Sequence, residues 1–552
     1  MAKQKLRVIP LGGLGEIGKN MLVMESGDDI IVIDAGLMFP KEEMLGVDLV
    51  IPDISYLVER REKVRGIIVT HGHEDHTGAL PYVLRELKVP VYATKLTLGL
   101  VSVKLKEHRL KGEVKLKEVK PGDTVSLGKF KVEFFSVCHS IPDAAGLIIH
   151  TPLGVVVHSG DFKLDHTPVT GRPSDFARLA RVAAQEPLLL LADSTYAELP
   201  GYTPSERLVG ETLDRILREA PGRVIVTTFS SLVSRVQQVI DAAARHGRFV
   251  CVVGRSMIDT VRMALEMGYL SDPTRVLRNI DQIRGLPHDK IALMTTGSQG
   301  EPTSALVRIS NRDHKQVHII PGDTVVMSAT PVPGNESLVN RTIDNLFRQG
   351  ARVLWDRVAM VHVHGHGSQE ELKLLLNLIR PRFFVPIHGE YRHLSLHADL
   401  ARSLGVPDSN IFVLEDGDIL ELTRNAGRVV GKASAGPVYV NGLSVGDIGS
   451  VVLRDRKLLS QDGIVVAIIT MDKRDGTLTG RPDIVARGFV DEKESVEMLE
   501  RSRDLVAEAL SRVRPHQAGW GYVSAKVKDT LNQFFYEQTK RRPMVMPVLV
   551  EV

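Results

Sequence analysis

The segment Val69–Pro81, VTHGHEDHTGALP, crowds His71, His73, Asp75 and His76 into one turn directly after the apolar run GIIV. Imidazoles and carboxylates lose hydration when buried, and partners must offset that loss. A loop after a strand lets alternate residues converge, so His71 and His73 are expected to face one cation and Asp75 and His76 another. Glu74, in the same run, reads as a solvated spacer. Other donors stand where further apolar runs end: His139 in SVCHSIPDA, Asp161 in HSGDFKLD and His388 in VPIHGEYRH. The set is imidazole and carboxylate with no thiolate, which suits Zn²⁺ or Mn²⁺. Asp161 can bridge two ions, which two-metal hydrolases hold roughly 3.5–4 Å apart. A solitary histidine in an apolar segment is ordinarily a satisfied core residue. H-x-H-x-D-H with three downstream partners is not explained that way, and two divalent ions are expected, zinc before manganese.

A chain of 552 residues is too long for one core. Up to residue 203 it reads as short β-type runs separated by turns, several ending in polar clusters, as α/β folds display chemistry at the carboxyl ends of strands. From 204 to 355 helical and strand-like segments alternate, which predicts a parallel βαβ module. Residues 356–435 return to short strands ending in histidines, including MVHVHG. A linker is expected over 436–452 and a small α+β domain over 453–552. Net charge is +3, compatible with a polyanionic partner without requiring one. With only Cys138 and Cys251, no disulfide framework is expected and a reducing cytoplasm is the natural setting. Cys138 reads as a small packed hydrophobe. No apolar run approaches the roughly 20 residues that span a bilayer, and the N-terminus lacks a secretory pattern.

The run GLGEIG, Gly13 to Gly18, matches a dinucleotide fingerprint, with Asp34 at a fitting distance. Between them lie two β-type runs around SGDD, leaving no room for the helix that must hold a pyrophosphate. A glycine-rich hairpin bend is expected instead.

At these residues the sequence resembles the metallo-β-lactamase superfamily. Asp34 in VIDAG, the His71–His76 run, His139 and Asp161 correspond to its successive motifs, with Asp34 behind the ligands as their orienting group. Asp193 in LLLLADSTYAE, His366 in HVHGHGS and His388 in FFVPIHGE resemble the extra motifs of the β-CASP branch, whose members cut nucleic acids. LGGLGEIGKNM, DAGLMFP, LGVDLVIPDISYL, GHGSQEELK, PIHGEYRHL and VVLRDRKLLSQDG are similar to the bacterial ribonuclease J family, nearly end to end. Position 364 departs from that pattern: His364 stands where the family often has serine, in HVSGH, which changes the hydrogen-bond donor there.

The resemblance implies an α/β fold: a metallo-β-lactamase αββα sandwich, an inserted β-CASP α/β domain and a small C-terminal α+β domain. It implies that His71, His73 and His139 hold one ion, that Asp75, His76 and His388 hold the other, and that Asp161 bridges. A water activated between two metals would then attack the phosphodiester of single-stranded RNA. Asp193 is expected to hold a ligand histidine. His366 is expected to stabilise the transition state or protonate the leaving 3′-oxygen, or to prop His388. A 5′–3′ exonuclease that also cuts internally and prefers a 5′-monophosphate needs a phosphate pocket, for which Phe229, Ser230 and Ser231 and the facing wall His362, Val363, His364, Gly365 and His366 are candidates. From the residues alone, N-capping is the default role for the serines. The Lys-rich stretch Lys95–Lys120 and Lys540–Arg542 could track RNA, although mixed acids make a solvated face the commoner reading. Aromatics at 5% argue against base-stacking platforms. Recognition should lean on phosphate and a narrow channel, with low sequence specificity. The family also implies a homodimer or tetramer, RNA-decay protein partners, and roles in RNA maturation and mRNA decay. The alternatives are a β-CASP nuclease acting on DNA, a small-molecule metallo-hydrolase and a scaffold that has lost catalysis.

Overall fold

A computed structural model describes residues 4–552, apart from 42, 333, 443, 475–476, 492–494 and 512–514. The chain divides into two compact units, one of Met1–Phe39 with Leu49–Val438 and one of Pro40–Asp48 with Tyr439–Val552.

The first unit is built on two facing sheets. The eight-stranded sheet runs, edge to edge, through Gly427–Lys432, Asp418–Leu422, Leu6–Gly12, Met21–Ser26, Asp29–Ile33, Val64–Ile68, Val91–Ala93 and Leu116–Glu118. The six-stranded sheet runs through Phe383–Ile387, Leu189–Asp193, Gly154–His158, Ala145–Thr151, Phe130–Ser136 and Thr124–Leu127. Val8, Met24 and Ile33 from one sheet and Phe134, Leu147, Leu191 and Val385 from the other share one core. Helices Phe176–Ala183, Gln369–Ile379 and Tyr391–Ser403 cover the outer face of the second sheet, through Leu179, Leu372, Leu375 and Ala398. Strands Leu6–Gly12 and Met21–Ser26 pair antiparallel across GLGEIG, so that run is a hairpin bend.

Strand direction decides where the polar ends fall. Asp29–Ile33 and Val64–Ile68 are parallel, as are Gly154–His158, Leu189–Asp193 and Phe383–Ile387, with Asp193 in register with Ile387. Asp34, His71, Asp161, Asp193 and His388 therefore all lie at or just beyond strand carboxyl ends, where α/β sheets place ligands.

The inserted module is an all-parallel six-stranded sheet in the order Leu277–Arg278, Phe249–Val253, Ile291–Thr295, Val224–Thr227, Thr324–Met327, Arg352–Leu354. Its inner strands are buried on both faces, as parallel sheets require, with one core around Val224, Val226 and Val236 and another around Ile225, Val325 and Leu346. The return segment corrects the reading of MVHVHG as a strand: residues 360–368 form no strand or helix. Val361 and Val363 are buried while the alternating His362, His364 and His366 stay partly exposed, and neither adjacent sheet pairs with them.

In the second unit, Asp483–Arg487, Ile464–Met471 and Met544–Glu551 form a sheet in that order. Alternate residues Val465, Ala467 and Ile469 pack against Val506, Val527, Leu531 and Phe535 of helices Val496–Ser511 and Pro515–Thr539. The stretch read as linker holds strands Pro437–Asn441 and Ser444–Val445 and the start of helix Ser450–Asp462.

Candidate metal centre

Seven donors converge at the strand ends. His71 Nε2 lies 3.0 Å and His139 Nε2 3.1 Å from His73 Nδ1. Beside them, Asp161 Oδ2 is 3.1 Å from His76 Nε2 and 3.3 Å from His388 Nε2, and Asp75 Oδ2 is 3.5 Å from His76 Nε2. The ligand-type atoms group accordingly, His71, His73 and His139 in one set and Asp75, His76, Asp161 and His388 in the other. The same Asp161 oxygen is 3.7 Å from His71 Nε2 and 3.8 Å from His139 Nε2, so it faces both sets.

Four of the five ligand imidazoles are held from behind. Asp34 accepts from the Thr70 amide at 2.7 Å and from the Thr70 hydroxyl at 2.9 Å, and its Oδ2 lies 2.8 Å from His76 Nδ1. The Thr70 hydroxyl in turn lies 3.0 Å from His71 Nδ1. His388 Nδ1 meets Asn20 Oδ1 at 2.9 Å, and the Asn20 amide donates to the Asp75 carbonyl at 3.1 Å. His139 Nδ1 meets the Gly365 carbonyl at 2.7 Å. Such partners fix imidazole tautomer and aim. Asp34 and His388 both have left-handed backbones, φ 62° and 55°, a conformation uncommon outside glycine that Asp and His adopt more readily than most residues.

Burial lowers His71 and His139 well below the ordinary range and His73 to about 4, leaving neutral rings with nitrogen lone pairs. Burial alone would raise Asp161, but the charges of His388 and His76 outweigh it and hold the carboxyl low. Burial would likewise lower His388, yet the Asp161 carboxylate carries it up to about 9. The second set thus holds protons among carboxylates, the place a divalent cation takes when it binds. Nitrogen and oxygen donors in two adjacent sets, four of their imidazoles backed by hydrogen bonds, fit two hard-to-borderline divalent ions.

Asp193 divides its carboxylate: Oδ2 is 2.7 Å from His366 Nδ1, and Oδ1 accepts from the Thr195 amide and hydroxyl at 3.0 and 2.9 Å. His366 Nδ1 is 4.0 Å from Asp161 Oδ2, and its ring centroid is 5.4 Å from that of His388. Phe229, Ser230 and Ser231 sit in the turn before helix Val233–Arg245. The N-cap position is Leu232, without a side-chain bond, so the capping role for the serines is corrected. Two residues further, buried Arg235 donates to the Val361 carbonyl at 2.7 Å and tethers the segment carrying His362 and Val363. His364 stacks on Tyr196. Gly365 lies against His139, where a Cβ would meet the ring at 2.7 Å.

Several contributors were not singled out from the sequence: Asn20, Thr70, the Gly365 carbonyl, and Glu371. Buried Glu371 accepts from the amides of Leu164 at 2.6 Å, Ser368 at 2.7 Å and Thr203 at 2.8 Å, fastening three segments around the site. Asn20 and Glu371 lie inside motifs that carried the family resemblance, which is the only signal they offered. Glu74 is more than a spacer, since it pairs with Lys104 of helix Lys95–Glu107 at 2.5 Å. Cys138 is buried, with Sγ 3.3 Å from the Arg172 carbonyl. Arg541 is committed to Asp462 and to the Phe489 carbonyl.

The facing sheets and the paired donor sets define a metallo-β-lactamase-fold hydrolase with a β-CASP insertion. Family models agree along the chain: Metallo-beta-lactamase superfamily over residues 14–221, Ribonuclease J, beta-CASP domain over 221–346, Zn-dependent metallo-hydrolase RNA specificity domain over 352–413, and Ribonuclease J C-terminal domain over 451–552. The chain is 43% identical over 550 residues to Ribonuclease J2 of Bacillus subtilis, spanning 100% of this chain and 99% of that one. It is 44% identical over 553 residues to Ribonuclease J of Thermus thermophilus, spanning 99% and 95%. A crystal structure described as a protein of unknown function from Enterococcus faecalis V583 shares the fold, with TM-score 0.53 at 17% identity over 76% of this chain and 100% of that one. The chain belongs to the ribonuclease J family, the metal-dependent ribonucleases of this fold. Among the described residues, no helix is long and apolar enough to cross a membrane.

Proposed function

We propose that the chain is a cytoplasmic two-metal ribonuclease that degrades single-stranded RNA from a 5′-monophosphorylated end and also cuts internally, in RNA maturation and mRNA decay. The observation that carries the reading is Asp161 Oδ2, which faces His76 and His388 at 3.1 and 3.3 Å and His71 and His139 at 3.7 and 3.8 Å. A single oxygen between two ligand sets is the arrangement of a bridged pair, here His71, His73 and His139 beside Asp75, His76 and His388. Two divalent ions, zinc first and manganese second, supply Lewis acidity and a water nucleophile at neutral pH when bound.

The remaining roles fall to side chains. His366 has Nδ1 committed to Asp193, so Nε2 is the nitrogen left to stabilise the developing charge or hand a proton to the leaving 3′-oxygen. Asp193 keeps that tautomer. Phe229, Ser230 and Ser231 on one side and His362 to His366 on the other receive the 5′-terminal phosphate. Phosphate contacts carry no sequence information, which supports low sequence specificity. The active form is a homodimer or tetramer, working with RNA-decay proteins.

The test compares 5′-monophosphorylated, 5′-triphosphorylated and 5′-hydroxyl RNA of one sequence, with end-label mapping and a His73→Ala control. The expected result is processive release of mononucleotides from the monophosphate alone. Equal cleavage of all three at internal sites would overturn the phosphate pocket.

A further inference from the structure

Asp193 and Tyr196 lie three residues apart in the turn that follows strand Leu189–Asp193, and they reach two alternate residues of the segment opposite. Asp193 takes His366 by a 2.7 Å hydrogen bond. Tyr196 takes His364 by its ring face, with centroids 3.9 Å apart and planes inclined by only 15°. The same tyrosine ring lies 5.8 Å from that of His366. Residues two apart in an extended segment share a side, so one turn grips one side of the histidine wall at two points. The turn is itself fixed, because Thr195 binds back to Asp193 through amide and hydroxyl.

A stacked ring and a hydrogen bond restrict an imidazole differently. The bond fixes which nitrogen carries the proton and where it points. The stack fixes the plane of the ring without engaging either nitrogen. His364 has its Nδ1 enclosed by protein, which leaves Nε2 as the nitrogen turned to a ligand. Burial, with the charge of His366 next, lowers His364 to about 4, so the ring is neutral and keeps one donor and one acceptor nitrogen. Tyr196 is half-buried, held at the wall with its ring between solvent and core.

We propose that Tyr196 is a positioning residue for 5′-phosphate recognition, its stacked ring holding the plane of His364 so that an imidazole nitrogen meets a terminal phosphate oxygen while Asp193 sets His366 beside it. The inference rests on the phosphate-pocket reading given above. It explains how an imidazole serves at a wall position where a smaller hydroxyl side chain would need no such support: a ring free to rotate about two side-chain torsions must be ordered before it can donate in one direction.

The experiment measures kcat and KM on 5′-monophosphate and 5′-hydroxyl RNA of one sequence for the wild-type chain, Tyr196→Ala, Tyr196→Phe, His364→Ala and the Tyr196→Ala/His364→Ala double variant. Tyr196→Ala should raise KM for the monophosphate roughly three- to tenfold, the range of an aromatic pair. KM on the 5′-hydroxyl RNA should stay within about twofold, and Tyr196→Phe, which keeps the flat ring, should restore the wild-type KM. The double variant should match His364→Ala, because the tyrosine acts through the histidine. If Tyr196→Ala does not fold, Tyr196→Leu keeps the bulk without the flat face and serves the same comparison. Loss of 5′-end discrimination in His364→Ala, with Tyr196→Ala and Tyr196→Leu unchanged, would overturn the role of Tyr196 while leaving the pocket intact. A wild-type enzyme indifferent to the 5′ end would overturn the pocket and the inference with it.

Discussion

The carbonyl oxygen of Gly365 lies 2.7 Å from Nδ1 of His139. The segment returning from the inserted module therefore reaches a candidate metal ligand directly, and through a backbone atom. Arg235 on the inserted module and Glu371 on the following helix anchor that segment on either side, at Val361 and Ser368. Whatever sits against the histidine wall is thus one peptide away from the metal centre.

Gly365→Ala should separate this contact from the fold. The added Cβ would sit 2.7 Å from the His139 ring and 2.9 Å from Ser140 Cβ, too close for either to stay in place. Activity should fall by roughly 10–100-fold, the usual cost of disturbing a ligand's outer partner. The unfolding temperature should fall by only a few degrees, since overpacking one buried site costs about 1–3 kcal/mol. Steady-state rates with a thermal melt check both halves, and unchanged activity would show that His139 does not depend on Gly365.

Asp34→Asn removes the charge beside His76 Nδ1 while keeping the shape, and asparagine tolerates the left-handed backbone at this position. Metal affinity should weaken by about 10–100-fold. Titration of the chelated protein with zinc or manganese measures it. An affinity equal to wild type would mean that Thr70 alone orients the loop.

Asp161→Asn should lose more, because its Oδ2 faces both donor sets. A contribution of several kcal/mol to the transition state corresponds to roughly a thousandfold in kcat. Metal content by elemental analysis should drop below the wild-type ratio. Chelation of the wild-type protein should lower its melting temperature as well as abolish activity, since about 2.7 kcal/mol of folding stability is lost when a ligand at 100 times its dissociation constant is withdrawn. A variant that keeps full metal content and rate would remove Asp161 from the centre.

The pH dependence of stability has a specific source at Asp416. Burial, reinforced by the neighbouring Glu16 carboxylate, raises its pKa to about 7. The folded state then holds a proton that the unfolded chain releases near pH 4, so this group's contribution to stability is fully present below that value and is lost as pH rises towards 7. The loss is on the order of a few kcal/mol. Asp416→Asn keeps an acceptor for the Leu14 amide, which now bonds Oδ1 at 3.1 Å. It should flatten the stability profile between pH 4 and 7 and raise the melting temperature at pH 8. Melts across that range decide it, and a parallel profile in the variant would assign the slope elsewhere.

The sequence by itself determined the donor chemistry. His71, His73, Asp75 and His76 lie so close along the chain that a strand ending before them brings them together under almost any α/β packing. His139, Asp161 and His388 announced themselves as polar residues closing apolar runs. Local spacing and the cost of burying such groups were enough. The extended MVHVHG pattern, in contrast, reads as a strand, and only packing reveals that no neighbour pairs with it. The serines of TTFSSLV read as helix caps, yet Leu232 holds that position.

Tertiary structure alone decided which distant groups complete the site. Asn20 meets His388 across 368 residues, Gly365 meets His139 across 226, and Glu371 fastens Leu164 across 207. Nothing local in those residues marks the role, because backbone carbonyls and amides look alike at every position and a lone Asn or Glu has many uses. Hydrogen bonds of this kind exist only once parallel strands have aligned their carboxyl ends, so chain order chooses the metal-binding atoms and the fold chooses what aims them.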